Sequence, residues 1–377
     1  MGSILNSIRR TGAWLRDLVG AYLAGVWVLI PIVLIALALA SYGWWWRVVA
    51  DGIRQNAATL QAQQTALGRE LIWDAFNVEG FPYRVDTTVS SPRFTAPDRG
   101  TEWRGERVVV HVAPLAINRA VFSLEGLQHF FYGMEGQWIE SEGRADKALL
   151  TLAAPSKGHQ NFAVEIERLT GKATINSNDF NVIVDEASAD LDLRDPNERE
   201  PMPRVDVIVH LKNAAVQGKI DLPLGRTVSL FDVDAGLKFP TNLPQTSPAA
   251  LFAAWRNAGT PVELRRFELD WGGVQVSASG TFLLDAQSLP EGRLLLKLGN
   301  HARILELLET YGWITKDTRA LARPVLDLLS FASGDPQRRV TVPLRIEKGE
   351  VYLGPARIGT LRSPTADTPL APTDMIP

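Results

Sequence analysis

Hydrophobic residues are concentrated near the N-terminus in one long, uninterrupted stretch. No charged residue occurs from Leu18 to Trp46, a run of 29 positions. A helix crosses the ~30 Å hydrocarbon core of a bilayer with about 20 apolar residues, because it rises ~1.5 Å per residue. We therefore predict a transmembrane anchor over 18–46, with a cytoplasmic N-terminus over 1–17 and a kink at Pro31.

Aromatic residues mark the end of this stretch. Tyr and Trp concentrate at membrane–water interfaces, since their rings are apolar while their O–H or N–H groups stay hydrated. Consecutive helix residues point about 100° apart, so three adjacent tryptophans surround a helix and cannot form one stacking surface for a ligand. The predicted membrane-interface residues are Tyr42, Trp44, Trp45, Trp46 and Arg47, whose long side chain can reach the headgroups.

The charges that flank the stretch favour a cytoplasmic N-terminus. Three arginines precede it and two follow it closely: Arg9, Arg10 and Arg16, then Arg47 and Arg54. Positive charge is retained on the cytoplasmic side, whereas a long domain after the anchor is readily exported. We expect a single-pass protein of the bacterial inner membrane, with its main domain in the periplasm.

Cleavage of the anchor is the alternative to its retention. The residues ending at Ala40 resemble a signal-peptidase site, and Arg9-Arg10 loosely resembles a twin-arginine signal. The apolar stretch is longer than the roughly 7–15 residues of a typical signal peptide core. We therefore favour a retained anchor.

The rest of the chain is predicted to be mainly β, in an α+β arrangement. Residues 47–72 lack proline and repeat apolar residues at helical spacing, which predicts a membrane-proximal helix. Alternating stretches such as "RVDVIVHLK" then follow, in which Val205, Val207 and Val209 share one face while polar residues share the other. This pattern predicts a large, curved antiparallel sheet in an extracytoplasmic domain over 73–362.

Helices and linkers interrupt the strand pattern. Short helices are predicted at 247–259, 301–312 and 315–334, the last interrupted by Pro324. The proline-rich stretch 196–203 is a candidate boundary between two β-halves, and 363–377 is predicted to be a disordered tail.

Composition excludes several functions. The net charge of −3 disfavours nucleic acid as a partner, and the absence of cysteine removes thiolate catalysis and cysteine-ligated metals. The five histidines have no zinc-binding spacing: His111, His129, His159, His210 and His301. The acidic segment 185–200 lacks the order of a calcium loop, and no nucleophile elbow or phosphate-binding loop occurs. We therefore expect no cofactor, no metal and no enzymatic activity.

Three motifs carry a resemblance to a known family. They are "WDAFNVEGFPYRVDTTVSSPRF" after the first helix, "GGVQVSASGTFLLDAQSLPEGRLLLKLGN", and the closing "VTVPLRIEKGEVYLGPARIG". In this order the chain resembles domain-of-unknown-function family 2125, proteobacterial inner-membrane proteins, and more distantly AsmA-like envelope proteins. The resemblance implies a role in the cell envelope.

The family motifs also have a structural interpretation. A glycine permits an unusual backbone angle, and a proline restrains a turn and biases the residue before it towards extended geometry. Phe81 and Tyr83 would then share one strand face. The motif residues, interpreted as turn and core residues, are Gly80, Phe81, Pro82, Tyr83, Gly349, Gly354 and Pro355.

Two functions of different classes remain. A membrane-tethered β-rich module could bind lipid or another apolar ligand on a curved sheet, which a wide apolar cavity would favour. Alternatively, it could be a scaffold or assembly factor for an envelope protein complex, which a flat exposed apolar patch or a bare strand edge would favour. An enzyme would require a polar pocket with convergent titratable groups.

Overall fold

The structure is a computed structural model, and it covers the predicted β-rich region almost completely. The described residues are 35–113, 116–134, 137–196, 202–219, 222, 224–239, 255–285, 289–312, 314–335, 339–354 and 356–361. The predicted segments 1–17 and 363–377, most of 18–46 and most of 247–259 therefore lie outside the described residues.

The first described element is helix α1, which runs from residue 35 to residue 66. It passes through Trp46 and Arg47 without a break. The helix also ends earlier than predicted, because Gly68 adopts a positive φ of 72° and Glu70–Ile72 forms a strand. Among the described residues, no helix is long and apolar enough to cross a membrane.

Eighteen strands follow in the described chain, all joined in antiparallel pairs. The first nine are β1 Glu70–Ile72, β2 Ala75–Glu79, β3 Val85–Ser90, β4 Arg93–Ala96, β5 Thr101–Ala113, β6 Ala116–Met134, β7 Gln137–Arg144, β8 Lys147–Ser156 and β9 His159–Ile175. The others are β10 Asn178–Arg194, β11 Arg204–Gly218, β12 Thr227–Lys238, β13 Val262–Trp271, β14 Val274–Leu284, β15 Pro290–Gly299, β16 Val340–Glu347, β17 Glu350–Leu353 and β18 Ala356–Thr360.

Each strand from β8 to β18 pairs with the next strand in the chain, which makes this part a meander of hairpins. β10 and β11 flank the predicted linker 196–203, and they pair from Phe180 opposite Gly218 to Arg194 opposite Arg204. The linker therefore connects two neighbouring strands of one sheet, and the two predicted β-halves are parts of that sheet.

Helices accompany the C-terminal strands. Residues 255–258 are helical (α2), and helices α3 His301–Thr310 and α4 Lys316–Ala332 form a hairpin between β15 and β16. Pro324 lies inside α4 and does not interrupt it, contrary to the prediction. α3 contacts β14 and α4 contacts β16, and Trp255 packs into a cluster with Ala235 and Val262.

Candidate functional site

One face of the sheet is apolar across thirteen strands. In an antiparallel ladder, residues directly opposite one another project to the same side, so the register identifies which side chains share a face. Starting at β3 and ending at β17, one row of paired residues is Val85, Val112, Ala120, Leu152, Phe162, Leu191, Val207, Ala235, Leu264, Gly280, Leu294, Leu344 and Leu353. At about 4.8 Å between strands, this row is roughly 58 Å long.

A second row lies two residues away on each strand, or three at the bulge in β13, and is also apolar apart from Thr87. Its members are Thr87, Val110, Phe122, Leu150, Val164, Ala189, Val209, Val233, Phe267, Ala278, Leu296 and Val342. Neither row contains a charged residue. We refer to the side of the sheet that carries these two rows as the apolar face.

The opposite side, the polar face, carries the charges. In β11 the residues between the apolar positions are Asp206, Ile208, His210 and Lys212, as the alternation of the sequence predicts. On this side, ion pairs connect neighbouring strands. Lys147 in β8 pairs with Glu165 and Glu167 in β9, and Lys212 in β11 pairs with Glu186 in β10. The hydrogen bonds that Lys147 donates to its two glutamates raise the pKa of Lys147.

The best-connected ion pairs on the polar face surround Arg265. Its guanidinium donates to Asp234 at 2.8 Å and to Asp206 at 2.7 Å, and Asp206 also accepts from Arg204 at 2.9 Å. A β-bulge between Leu264 and Phe267 supplies the extra residue that places Arg265 there. Burial raises the pKa of Asp206, but the hydrogen bonds from Arg204 and Arg265 outweigh it and lower the pKa below its usual value.

A transverse line of irregular residues, which we call the crease, crosses β9 to β12. Arg168 in β9 and Asn213 in β11 have positive φ angles of 50° and 49°, and Ser229 lies at a register shift in β12. Between them in β10, Asp185 accepts a hydrogen bond from the Asn213 side chain at 2.9 Å. At each irregular position the strand contains one extra residue, so the alternation of side chains between the two faces resumes one position later along the chain.

The crease keeps the apolar residues on one side of the sheet. Trp271 and Leu269 are two residues apart in β13, so both project from the same face. Val228 pairs with Trp271 and Phe231 with Leu269, so Val228 and Phe231 share that face although they are three residues apart. The pairing of β11 with β12 and of β10 with β11 continues the same shift across the sheet. Val184 and Ala187, which are also three residues apart, therefore both lie on the apolar face.

Coverage of the apolar face differs along the row. The long row is buried at Val85, which is 0% exposed, and at Ala235, which is 8% exposed and packs against Trp255. At the centre, Phe162 in β9 and Leu191 in β10 are 37% and 36% exposed. The described chain therefore leaves the middle of a continuous apolar surface open.

Two clefts among the described residues are polar. One of about 600 Å³ lies on the polar face at the crease, lined in part by Glu165, Arg168, Glu186 and His210. The other, about 370 Å³, lies between α3 and α4. The apolar surface is thus an open face of the sheet, and these clefts are separate from it.

The structure pairs the histidines with carboxylates. His111 lies 2.8 Å from Asp86, and His301 lies 2.7 Å from Asp327. The other three histidines are also next to acidic residues: His129 to Glu142, His159 to Asp192 and His210 to Asp232. Within the described ranges, no group of three or more metal-ligating side chains converges. Part of the acidic segment 185–200 forms β10, where Asp190 and Asp192 lie on the polar face.

Two groups of residues that the sequence analysis treated separately meet in the structure. The turn between β2 and β3, residues 80–84, packs against α1 near the predicted membrane interface. The Tyr42 hydroxyl donates to the carbonyl of Pro82, and Trp46 Nε1 donates to the carbonyl of Arg84 at 2.9 Å. Phe81 stands edge-on to Trp46, with ring centroids 5.6 Å apart.

This turn differs from the extended strand that the motif predicted. Phe81 and Tyr83 lie outside β2 and β3, so they do not share a strand face. Gly80 has a φ of 102°, and a Cβ there would lie 2.8 Å from the Arg84 carbonyl oxygen. Trp44, Trp45 and Arg47 are exposed on α1.

The closing motif forms two hairpins. Lys348 and Gly349, with φ of 53° and 77°, connect β16 to β17. Gly354, with φ of 59°, directly follows β17, and Pro355 is outside the described residues.

The exposed apolar side of α4 was not anticipated by the sequence analysis. The polar side of this helix faces α3, where Asp327 pairs with His301 and Arg319 pairs with Glu309. The large apolar residues on the exposed side are Leu321, Val325, Leu328, Leu329 and Phe331. Their helical spacing is a signal that could have identified the stripe, but such a stripe usually predicts a buried face.

Comparison with known proteins gives one match. A family described as "Uncharacterized protein conserved in bacteria (DUF2125)" matches residues 46–362. No curated protein and no solved structure matches the chain. The matched region contains the β2–β3 turn, all eighteen strands and both helices of the α3–α4 hairpin. Because the match extends over most of the sequence, the chain belongs to the DUF2125 family.

Proposed function

We propose that this protein is held at the bacterial inner membrane by its N-terminal apolar stretch and binds the acyl chains of lipid along the apolar face in the periplasm. The observation that carries the proposal is the row of thirteen apolar positions, whose centre is open. Soluble proteins rarely expose contiguous apolar surfaces larger than a few hundred Å², and larger ones mark binding sites. A curved sheet and a role in envelope maintenance are part of the proposal.

The energetics favour a chain-like apolar ligand. Each methylene removed from water contributes about 0.8 kcal/mol. Side chains such as Phe162, Leu191 and Val207 offer only apolar contacts, so a hydrocarbon loses no hydrogen bond when it lies against them. The polar face cannot bind a hydrocarbon in this way, because charged side chains in ion pairs project from that face.

Native mass spectrometry of the full chain from bacterial envelopes tests the proposal. We expect phospholipid to co-purify at a defined stoichiometry, and Leu191→Glu to reduce it, because a carboxylate would stand in the middle of the apolar face. Ile208→Glu is the matched control, since Ile208 is 41% exposed on the polar face and Leu191 is 36% exposed on the apolar face. A lipid-free wild-type mass, or equal loss in both variants, would contradict the proposal.

The scaffold alternative is supported by α4. Its exposed apolar stripe is the type of surface that contacts another protein. A photo-crosslinking residue at Leu328 would then capture a defined envelope protein in intact cells, whereas one at Lys316, on the polar side, would not. Crosslinks to no protein from Leu328 would remove the support for this alternative.

A further inference from the structure

We propose that the β2–β3 turn is a second contact with the membrane, in which Tyr83 and Phe81 enter the interfacial layer of the bilayer beside Trp44. The inference rests on the membrane-anchoring part of the proposed function. It adds to that function a fixed orientation of the protein, in which the β3 end of the apolar face lies at the lipid surface.

The β2–β3 turn is attached to α1. Two hydrogen bonds connect them, from Tyr42 to the carbonyl of Pro82 and from Trp46 to the carbonyl of Arg84. The Phe81 ring also lies over Gly43, where a Cβ would be 3.8 Å from the ring. The turn therefore stays at the level of the α1 aromatic residues wherever the helix is placed.

The turn and Trp44 form an exposed corner of the molecule. Tyr83 is 88% exposed, Trp44 68% and Phe81 57%, so three large aromatic side chains surround this corner of the molecule. Aromatic side chains with polar atoms are stable at a bilayer interface, where the ring leaves water while the O–H or N–H stays hydrated.

The part of α1 that precedes this corner also exposes apolar side chains. Ile35, Leu37 and Leu39 of α1 are all exposed and lie on the N-terminal side of Trp44. They belong to the uncharged run that begins at Leu18, most of which precedes the described residues. Arg47 and Arg84 near the corner are both exposed; Arg84 pairs with Asp86 at 2.6 Å, so Arg47 is the basic side chain that suits anionic headgroups.

The position of the turn connects it to the apolar face. Val85, the first member of the long row, directly follows Arg84 and pairs with Val112. The turns that lead from β5 to β6 and from β8 to β9 lie at the same end of the strands, because Val112 pairs with Ala120 and Ser156 with His159. A lipid that leaves the bilayer would therefore meet the apolar face at its β3 end.

Single-site fluorescence tests the inference, and the cysteine-free chain permits it. The full chain is reconstituted in phosphatidylethanolamine–phosphatidylglycerol vesicles with an environment-sensitive dye on one introduced cysteine. We expect Tyr83→Cys to show a blue-shifted emission that lipid-attached nitroxides quench. Asn178→Cys, at the start of β10 and the other end of the sheet, should show neither.

A third label separates this inference from the proposed anchoring. Leu37→Cys lies in the predicted anchor and should be quenched if α1 enters the bilayer. Quenching at 37 with none at 83 would overturn the second contact and leave the anchoring intact. Absence of quenching at both 37 and 83 would overturn both.

Discussion

The charged residues of the polar face make a measurable contribution to stability at the level of single side chains. The side chain of Asp206 is 13% exposed and accepts hydrogen bonds from two arginines. Removing a carboxylate that is bonded to charged donors costs about 1–3 kcal/mol, because the donors lose their partner. We expect Asp206→Asn to lower the melting temperature at pH 7, measured by circular dichroism on the detergent-solubilised chain.

The pH dependence of this effect has a definite sign. The pKa of Asp206 is lowered in the folded protein, so its contribution is complete above the unfolded pKa of about 4 and disappears as the pH falls through the folded pKa. The difference between wild type and Asp206→Asn should therefore shrink below about pH 4. Asp98→Asn is the control, because Asp98 bonds one arginine on the surface and should change the melting temperature less. A difference that stays constant down to pH 2 would contradict the account.

Replacing two glycines by alanine should change the free energy of unfolding in opposite directions, because their environments differ. Gly80 has a φ of 102° and its Cβ would meet a carbonyl oxygen at 2.8 Å, so Gly80→Ala should destabilise by about 1–3 kcal/mol. Gly52 lies inside α1 with no atom within 4 Å of a Cβ, so Gly52→Ala should stabilise by roughly 0.5–1 kcal/mol. Thermal melts of both variants decide the point, and shifts of the same sign would refute it.

At the scale of elements, alternation alone predicted the two faces of "RVDVIVHLK", because a strand with one apolar side has a period of two. The end of α1 was placed too late, since the apolar spacing continues past the positive φ of Gly68. The course of 80–84 depends on contacts with Tyr42 and Trp46, which are about 40 residues away and leave no local signal.

Part of the crease could be predicted from the sequence. Residues on one face of a regular strand are two positions apart, whereas Val184 and Ala187 are three positions apart, as are Leu211 and Ala214. Only the pairing of strands shows that these irregular spacings are aligned. The apolar face itself also depends on register, because a shift of one residue would move a strand's apolar set to the other side.

The crease leads to a prediction for Asn213. Its φ of 49° is unfavourable for a β-branched residue, so Asn213→Val should destabilise by about 1–2 kcal/mol and also lose the hydrogen bond to Asp185. Asn213→Gly loses the same hydrogen bond without the backbone strain. Thermal melts should place the glycine variant clearly above the valine variant, and equal melting temperatures would show that the conformation at 213 is not strained.

For the whole molecule, the central feature is a sheet whose apolar side is buried at Val85 and Ala235 and open between them, at Phe162 and Leu191. The exposed centre lies on β9 and β10, while α2, α3 and α4 accompany β12 to β16. A sheet of this kind leaves its apolar side chains in contact with water unless another molecule covers them. In the proposed function, lipid is the molecule that covers them.

The most direct test is a photo-crosslinking scan along β10 in intact bacterial envelopes. A crosslinking residue is placed in turn at Val182, Ala189 and Leu191 on the apolar face, and at Ile183 and Ser188 on the polar face. The account predicts lipid adducts at 182, 189 and 191 and none at 183 and 188. Because the crease adds one residue to β10, the reactive positions are even-numbered before it and odd-numbered after it. Lipid adducts on both faces alike, or on neither, would contradict it.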